Sequence, residues 1–138
     1  MYFSAIIIGA ILASAILFGF RATDNFKAKK FFAGALIIAA LIYIGFAVSG
    51  ILAQTAAINW ILVEIGGLII YLALAYAGVK ISMWFLASGW TAHIFWDAAF
   101  HHGDKISYVP DFYPPLCIGF DLVFAAYIVY RFYFGKEV

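Results

Sequence analysis

Residues 31–79 carry one formal charge, Glu64, and are bounded by Lys30 and Lys80. At about 1.5 Å per residue, a helix of that length would run roughly 70 Å, more than twice a hydrocarbon core of about 30 Å. Such a stretch reads as two successive spans that turn back at the polar residues 54–59. The rest of the chain agrees. Hydrophobic residues make up 67% of it and charged residues 11%, against about 45–50% and about 25% in soluble domains. A chain of 138 residues has too little interior to bury that much apolar surface in water, so a bilayer must be the solvent. The net charge of +1 excludes nucleic acid as a partner. A lone cysteine, Cys117, excludes an internal disulfide.

Five apolar segments emerge, at about 2–20, 31–53, 58–79, 81–101 and 116–133. The first is preceded by no basic region, and Arg21, Lys27, Lys29 and Lys30 follow it, so it reads as a retained helix rather than a cleaved leader. Alternating segments of about ten residues are absent, and open sheets cannot face lipid. The expected fold is therefore all-α, a single-domain integral membrane bundle of about five transmembrane helices. Charge sets the orientation. With the N-terminus outside and the C-terminus inside, Arg21, Lys27, Lys29, Lys30, Lys80, Arg131 and Lys136 fall inside and only Lys105 outside, a strong positive-inside bias. The expected location is a bacterial or archaeal cytoplasmic membrane, with the lipid bilayer as first partner and a homo-oligomer or larger membrane complex as a further one. Small residues recur at helical spacing, Ala5, Gly9 and Ala13 on the first helix and Gly45 and Ser49 on the second. Internal packing is the expected use of both faces, ahead of dimerisation. The aromatic group Tyr127, Tyr130, Phe132, Tyr133 and Phe134 suits an inner interfacial belt.

Ionisable groups inside spans are costly and point to function. In the fourth segment His93, Asp97 and His101 recur every four residues and share one helical face, with His102 beside them. The fifth segment adds Asp121 and the third Glu64. Counted from the outer helix ends, Asp97, Asp121 and Glu64 lie roughly 7–10 Å deep and His93 roughly 13 Å. Imidazole and carboxylate are ligand types for zinc, iron or copper, so His93, Asp97, His101, His102, Asp121 and Glu64 form a candidate metal set in the outer half of the bundle. Two other readings stay open: a metal-free network that relays protons or holds a polar substrate, and a structural set of hydrogen bonds. The loop at 103–115, with Asp104, Lys105, Tyr108 and three prolines, could cover the site. Cys117 lies one turn before Asp121 and is either a soft ligand or buried packing.

The run His93-x-x-Trp96-Asp97, then His101-His102, a proline-bearing loop and Cys117-x-x-x-Asp121, resembles a family of small uncharacterised bacterial membrane proteins. That resemblance covers about residues 89–125. It implies a short multi-helix membrane protein and gives weight to the polar site without naming a reaction. Three functions therefore compete: a metal site, catalytic if it activates water or oxygen against a lipid-soluble substrate; a component of a proton or cation transporter; and an accessory subunit of a larger membrane complex. No nucleophile is identified, so whether the chain is an enzyme stays open.

Overall fold

The computed structural model describes residues 1–101 and 108–135; His102, Asp104, Lys105 and Lys136 lie outside them. The helices are α1 (Tyr2–Phe20), α2 (Asn25–Leu52), α3 (Asn59–Lys80), α4 (Met83–Phe100) and α5 (Tyr113–Val129), which runs on into a π-helical turn, Tyr130–Phe134. Among the described residues there is no strand. Four of these helices, α1, α2, α3 and α5 with its π-turn, are long and apolar enough to cross a membrane. The fourth in sequence, α4, is not among them: it spans 18 residues and includes His93, Asp97 and three tryptophans.

Helix ends explain where the elements depart from the expected spans. Helix α2 begins at Asn25 rather than near residue 31, because Asp24 caps it. The Asp24 carboxylate accepts the Lys27 N–H at 2.9 Å, which satisfies an orphan donor of the first turn. That same hydrogen bond holds the Asp24 carboxyl below its ordinary value. The cap therefore persists as pH falls until the carboxylate titrates. Helix α5 begins at Tyr113, three residues early, with Pro114 and Pro115 inside its first turn. Proline reads as a breaker, yet at a helix start its missing N–H would have had no partner anyway.

The turn between α2 and α3 holds one residue in the left-handed region, Gln54, at φ 58°. The Thr55 N–H returns to the Gly50 carbonyl at 2.8 Å, the six-to-one bond of a helix C-terminal motif that glycine usually closes. A side chain there costs about 1 kcal/mol. Gln54→Gly should raise stability by roughly 0.5–1 kcal/mol, read as a higher midpoint in denaturant titration; an unchanged or lower midpoint would refute the strain.

Packing runs α1 on α5, α5 on α4, α4 on α3 and α3 on α2, an arc with α1 and α2 at its ends. The core beneath it contains Phe32, Leu36, Leu86, Trp90, Phe124 and Ile128. Ala5, Gly9, Ala13 and Leu17 are the buried face of α1, which makes the first small-residue face internal, as expected. Gly9 and Gly119 permit the approach: a Cβ built on Gly9 would lie 1.9 Å from the Leu116 carbonyl oxygen, and one on Gly119 2.0 Å from that of Ile6. The second face is different. Gly45 and Ser49 are exposed, and a Cβ on Gly45 would meet nothing within 4 Å. The buried side of α2 is set by Leu36, Ala40, Tyr43, Ala47 and Gly50. Gly45 lies two residues from both Tyr43 and Ala47, roughly 200° around the helix, so it points outward.

At the opposite end from the histidines, Arg131 ties the π-turn to the α1–α2 corner. Its Nε donates to the Asn25 side-chain oxygen at 3.1 Å, and its guanidinium also donates to the carbonyls of Phe20 and Thr23. Arg131→Met keeps the apolar stem and removes these bonds. It should cost about 1 kcal/mol and speed proteolysis at the corner; a half-life equal to the parent's would show the clamp to be idle.

Candidate metal centre

Five of the six residues singled out in the sequence are described, and they do not gather at one point. The structure divides them. His93 and Asp97 project from α4 and meet Asp121 from α5, and all three are buried. One ligand atom from each lies within 4.8 Å of the others. Further toward the histidine end, His101 meets Glu64 from α3, and His102 lies outside the described residues.

Helix registers account for the division. Because α5 starts at Tyr113, Asp121 sits eight residues into it, roughly 12 Å deep instead of the expected 7–10 Å. That is the level of His93, eight residues before His101. Glu64 is only five residues into α3 and stays at the shallower level. His101, the C-cap of α4, lies roughly 12 Å further along the axis than His93, and so meets Glu64 and not the deeper pair.

In the deeper group His93 Nδ1 lies 2.6 Å from Asp121 Oδ2 and 3.7 Å from Asp97 Oδ2. One imidazole nitrogen thus faces two carboxylates. His93 Nε2 and both oxygens of Asp97 have no hydrogen-bond partner among the described residues, although Asp97 is 0% exposed. Burying an ionised carboxylate without hydrogen bonds costs several kcal/mol. Two carboxylates beside one imidazole also leave a net negative charge unless a cation or proton offsets it.

The donor set fits a metal. One imidazole and two carboxylates suit zinc, iron or manganese, and suit copper less well without a second nitrogen or sulfur. Bonds of about 2.0–2.1 Å place tetrahedral ligands roughly 3.3 Å apart, close to the His93–Asp97 separation. His93 Nδ1 cannot both donate to Asp121 and bind an ion. Either that hydrogen bond opens by under an ångström, or Nε2 is the ligand and Asp121 orients the ring from behind, as carboxylates do for metal-bound histidines. Cys117 is buried and is not one of the converging three.

Sequence reasoning missed the phenols around the site. Tyr43 of α2 is 1% exposed; its ring stacks on His101 with centroids 4.4 Å apart and lies 5.6 Å from that of His93. Its hydroxyl lies near Asp97 without a well-aligned hydrogen bond among the described residues. Tyr71 of α3 packs edge-on to His93 at 5.3 Å. At the shallower level Tyr108 donates to Glu64 Oε1 at 2.8 Å, and the same oxygen is 2.9 Å from His101 Nε2 but not aligned as a hydrogen bond. Burial and the Glu64 carboxylate push the Tyr108 hydroxyl well above its ordinary value, so it stays a donor. The loop closes over this end here: Tyr108 and Val109 are buried, and Tyr108 packs against Gly50, where a Cβ would lie 2.4 Å from its own. Depth would have found Tyr43. It is nine residues from the end of α2, roughly 13 Å deep, in register with His93.

Compared with family models, curated proteins and solved structures, the chain has no match. Fold and site define a class only: an all-helical chain with four helices able to cross a membrane and a buried His/Asp/Asp group able to hold a metal ion.

Proposed function

We propose that this chain is an integral membrane protein of five crossing helices, N-terminus outside and C-terminus inside, whose outer half binds a divalent metal ion through His93, Asp97 and Asp121. One observation carries the reading: among the described residues no well-aligned hydrogen bond reaches the wholly buried Asp97 carboxylate, although the Tyr43 hydroxyl is near, and it sits beside an imidazole and a second carboxylate. A cation relieves that arrangement, and apolar side chains would otherwise serve better there. Helix α4 supports a crossing position despite its lower hydropathy, because its ionisable groups, His93 and Asp97, are buried where they face neighbouring helices and not lipid. Three protein ligands leave a coordination position for water or substrate, the pattern of catalytic rather than structural sites. The bound ion would supply Lewis acidity or an activated water. The resemblance to small bacterial membrane proteins, and hence a bacterial or archaeal cytoplasmic membrane, belongs to the same proposal.

Elemental analysis of protein purified in mild detergent, without chelator or histidine tag, tests it. Near-stoichiometric zinc, iron or manganese is expected in the parent and none in Asp97→Ala, with helical content unchanged. Parent protein that stays metal-free even after dialysis against each ion would sink the reading.

The shallower group favours a second reading, a proton or cation-handling component. Glu64, His101 and Tyr108 adjoin the deeper group through the Tyr43 ring, so ionisable groups occupy two successive levels. That reading expects pH-dependent uptake into liposomes that His93→Ala abolishes. An accessory subunit would show neither metal nor flux, and would co-purify with a partner.

A further inference from the structure

The ends of the helix arc do not close on each other. Helices α1 and α2 touch at the end away from the histidines, where the Phe20 and Phe31 rings stack at 3.9 Å. Beyond that contact they part around a crevice of about 320 Å³. Leu12 and Ile16 of α1 and Ile38 and Ile42 of α2 form its flanks, all with exposed side chains. Its floor reaches Cys117 and Asp121 of α5, with Tyr113 above them. Asp121 is the residue whose other side meets His93 at 2.6 Å. A crevice that opens outward through exposed leucine and isoleucine therefore ends against the candidate metal centre.

Size and lining are those of a ligand site, apolar walls with a few converging polar groups. An ionisable residue at the floor of a lipid-facing crevice is a costly placement, and ordinary packing would put an aliphatic side chain there. The charges narrow the occupant. Among the described residues no lysine or arginine lines the crevice, and the one charged group is the Asp121 carboxylate. In the metal-free protein a phosphate or carboxylate head would find no counter-ion there and one repulsion. A hydroxyl can donate to the Asp121 carboxylate, whereas a ketone or ester oxygen can only accept and gains no hydrogen bond from it. A hydrocarbon tail matches the walls but gains nearly nothing over lipid. Selection therefore falls on the head.

We propose that the crevice between α1 and α2 admits one hydrocarbon chain of a neutral, membrane-dissolved alcohol and brings its hydroxyl to Asp121 as a donor. The inference deepens the metal reading by naming a substrate class, and rests on that reading only for what becomes of the head. Binding of the chain needs the crevice alone.

Photolabelling tests it. The protein is reconstituted in phosphatidylcholine vesicles and irradiated with a diazirine-bearing hexadecanol, or with the matching hexadecanoic acid at a pH where the acid is ionised. Adducts are mapped by peptide mass spectrometry, and metal content is measured on the same samples. Alcohol adducts should concentrate on Leu12, Ile16, Ile38 and Ile42, and in chelator-treated protein most of them should be lost when the acid replaces the alcohol. Ala39→Phe, which fills the crevice from α2, should remove them while helicity and metal content stay at parent levels. If Ala39→Phe fails to fold, Ile42→Trp at the mouth should do the same. Adducts spread evenly over outward residues such as Ile8, Ile11 and Leu122 would overturn the proposal, as would equal labelling by the acid in chelator-treated protein or no change in the filled variant. Metal-loaded parent without crevice adducts sinks this inference alone. Crevice adducts on protein that never takes up metal uphold it and sink the metal reading.

Discussion

Gly119→Val should stop α1 from docking. A Cβ at Gly119 would lie 2.0 Å from the Ile6 carbonyl oxygen and 3.0 Å from its Cα. These are backbone atoms of a helix, so no rotamer change can move them aside. Helix α1 must shift as a whole, and the burial of Ala5, Ala13 and Leu17 goes with it. Overpacking among side chains costs about 1–3 kcal/mol; against backbone the loss should be at the top of that range or beyond. Gly9→Val should behave alike, with its Cβ 1.9 Å from the Leu116 carbonyl oxygen. Gly45→Val is the control, since a Cβ there meets nothing within 4 Å. Circular dichroism during unfolding in mixed micelles checks all three. Gly119→Val as stable as Gly45→Val would mean that the α1–α5 contact is not as close as described.

The second large effect separates a functional site from a structural one. In metal-free protein, His93→Leu leaves Asp97 and Asp121 buried with no imidazole between them, and should cost about 3–5 kcal/mol, the usual result of removing one partner of a buried charged pair. Replacing all three, His93→Leu with Asp97→Leu and Asp121→Leu, removes the uncompensated charge as well. That triple variant should recover most of the loss and can exceed the parent's stability, while losing all metal affinity. Such a pattern marks groups retained for what they bind. A triple variant at least as unstable as His93→Leu would instead mark the network as part of what holds the bundle together. The three substitutions share one environment, so their effects are not additive, and the comparison rests on that.

Helix existence was legible in the sequence because a bilayer leaves few alternatives: residues 31–79 with one charge must turn back once. The ends were less so, for reasons of local chemistry. Asp24 capped a helix earlier than hydropathy alone suggested, and Pro114 and Pro115 looked like loop while serving as a helix start. That three-residue error mattered for the site, because it placed Asp121 too shallow and so beside Glu64 rather than His93. Spacing along α4 put His93, Asp97 and His101 on one face but did not show their depth. The structure brings His93 and Asp97 to Asp121 and leaves His101, about 12 Å further along the axis, beside Glu64. Tyr43 and Tyr71 were invisible for a different reason, and Tyr108 was noticed only as part of a covering loop. A tyrosine in an apolar run reads as bulk, and its hydroxyl acquires meaning only once its depth is matched to that of charged groups on other helices.

The arc of packing has a consequence for how the chain is made. Helix α1 finds its close partner in α5, which is synthesised long after it. At about 5–20 residues per second, α1 waits roughly 5–20 s before that surface exists. Its bare-backbone stripe at Gly9 is meanwhile open to any helix nearby, including one from another ribosome. Whatever escorts α1 through that interval, an insertion machine or the lipid itself, must hold it loosely enough to be displaced when Gly119 arrives.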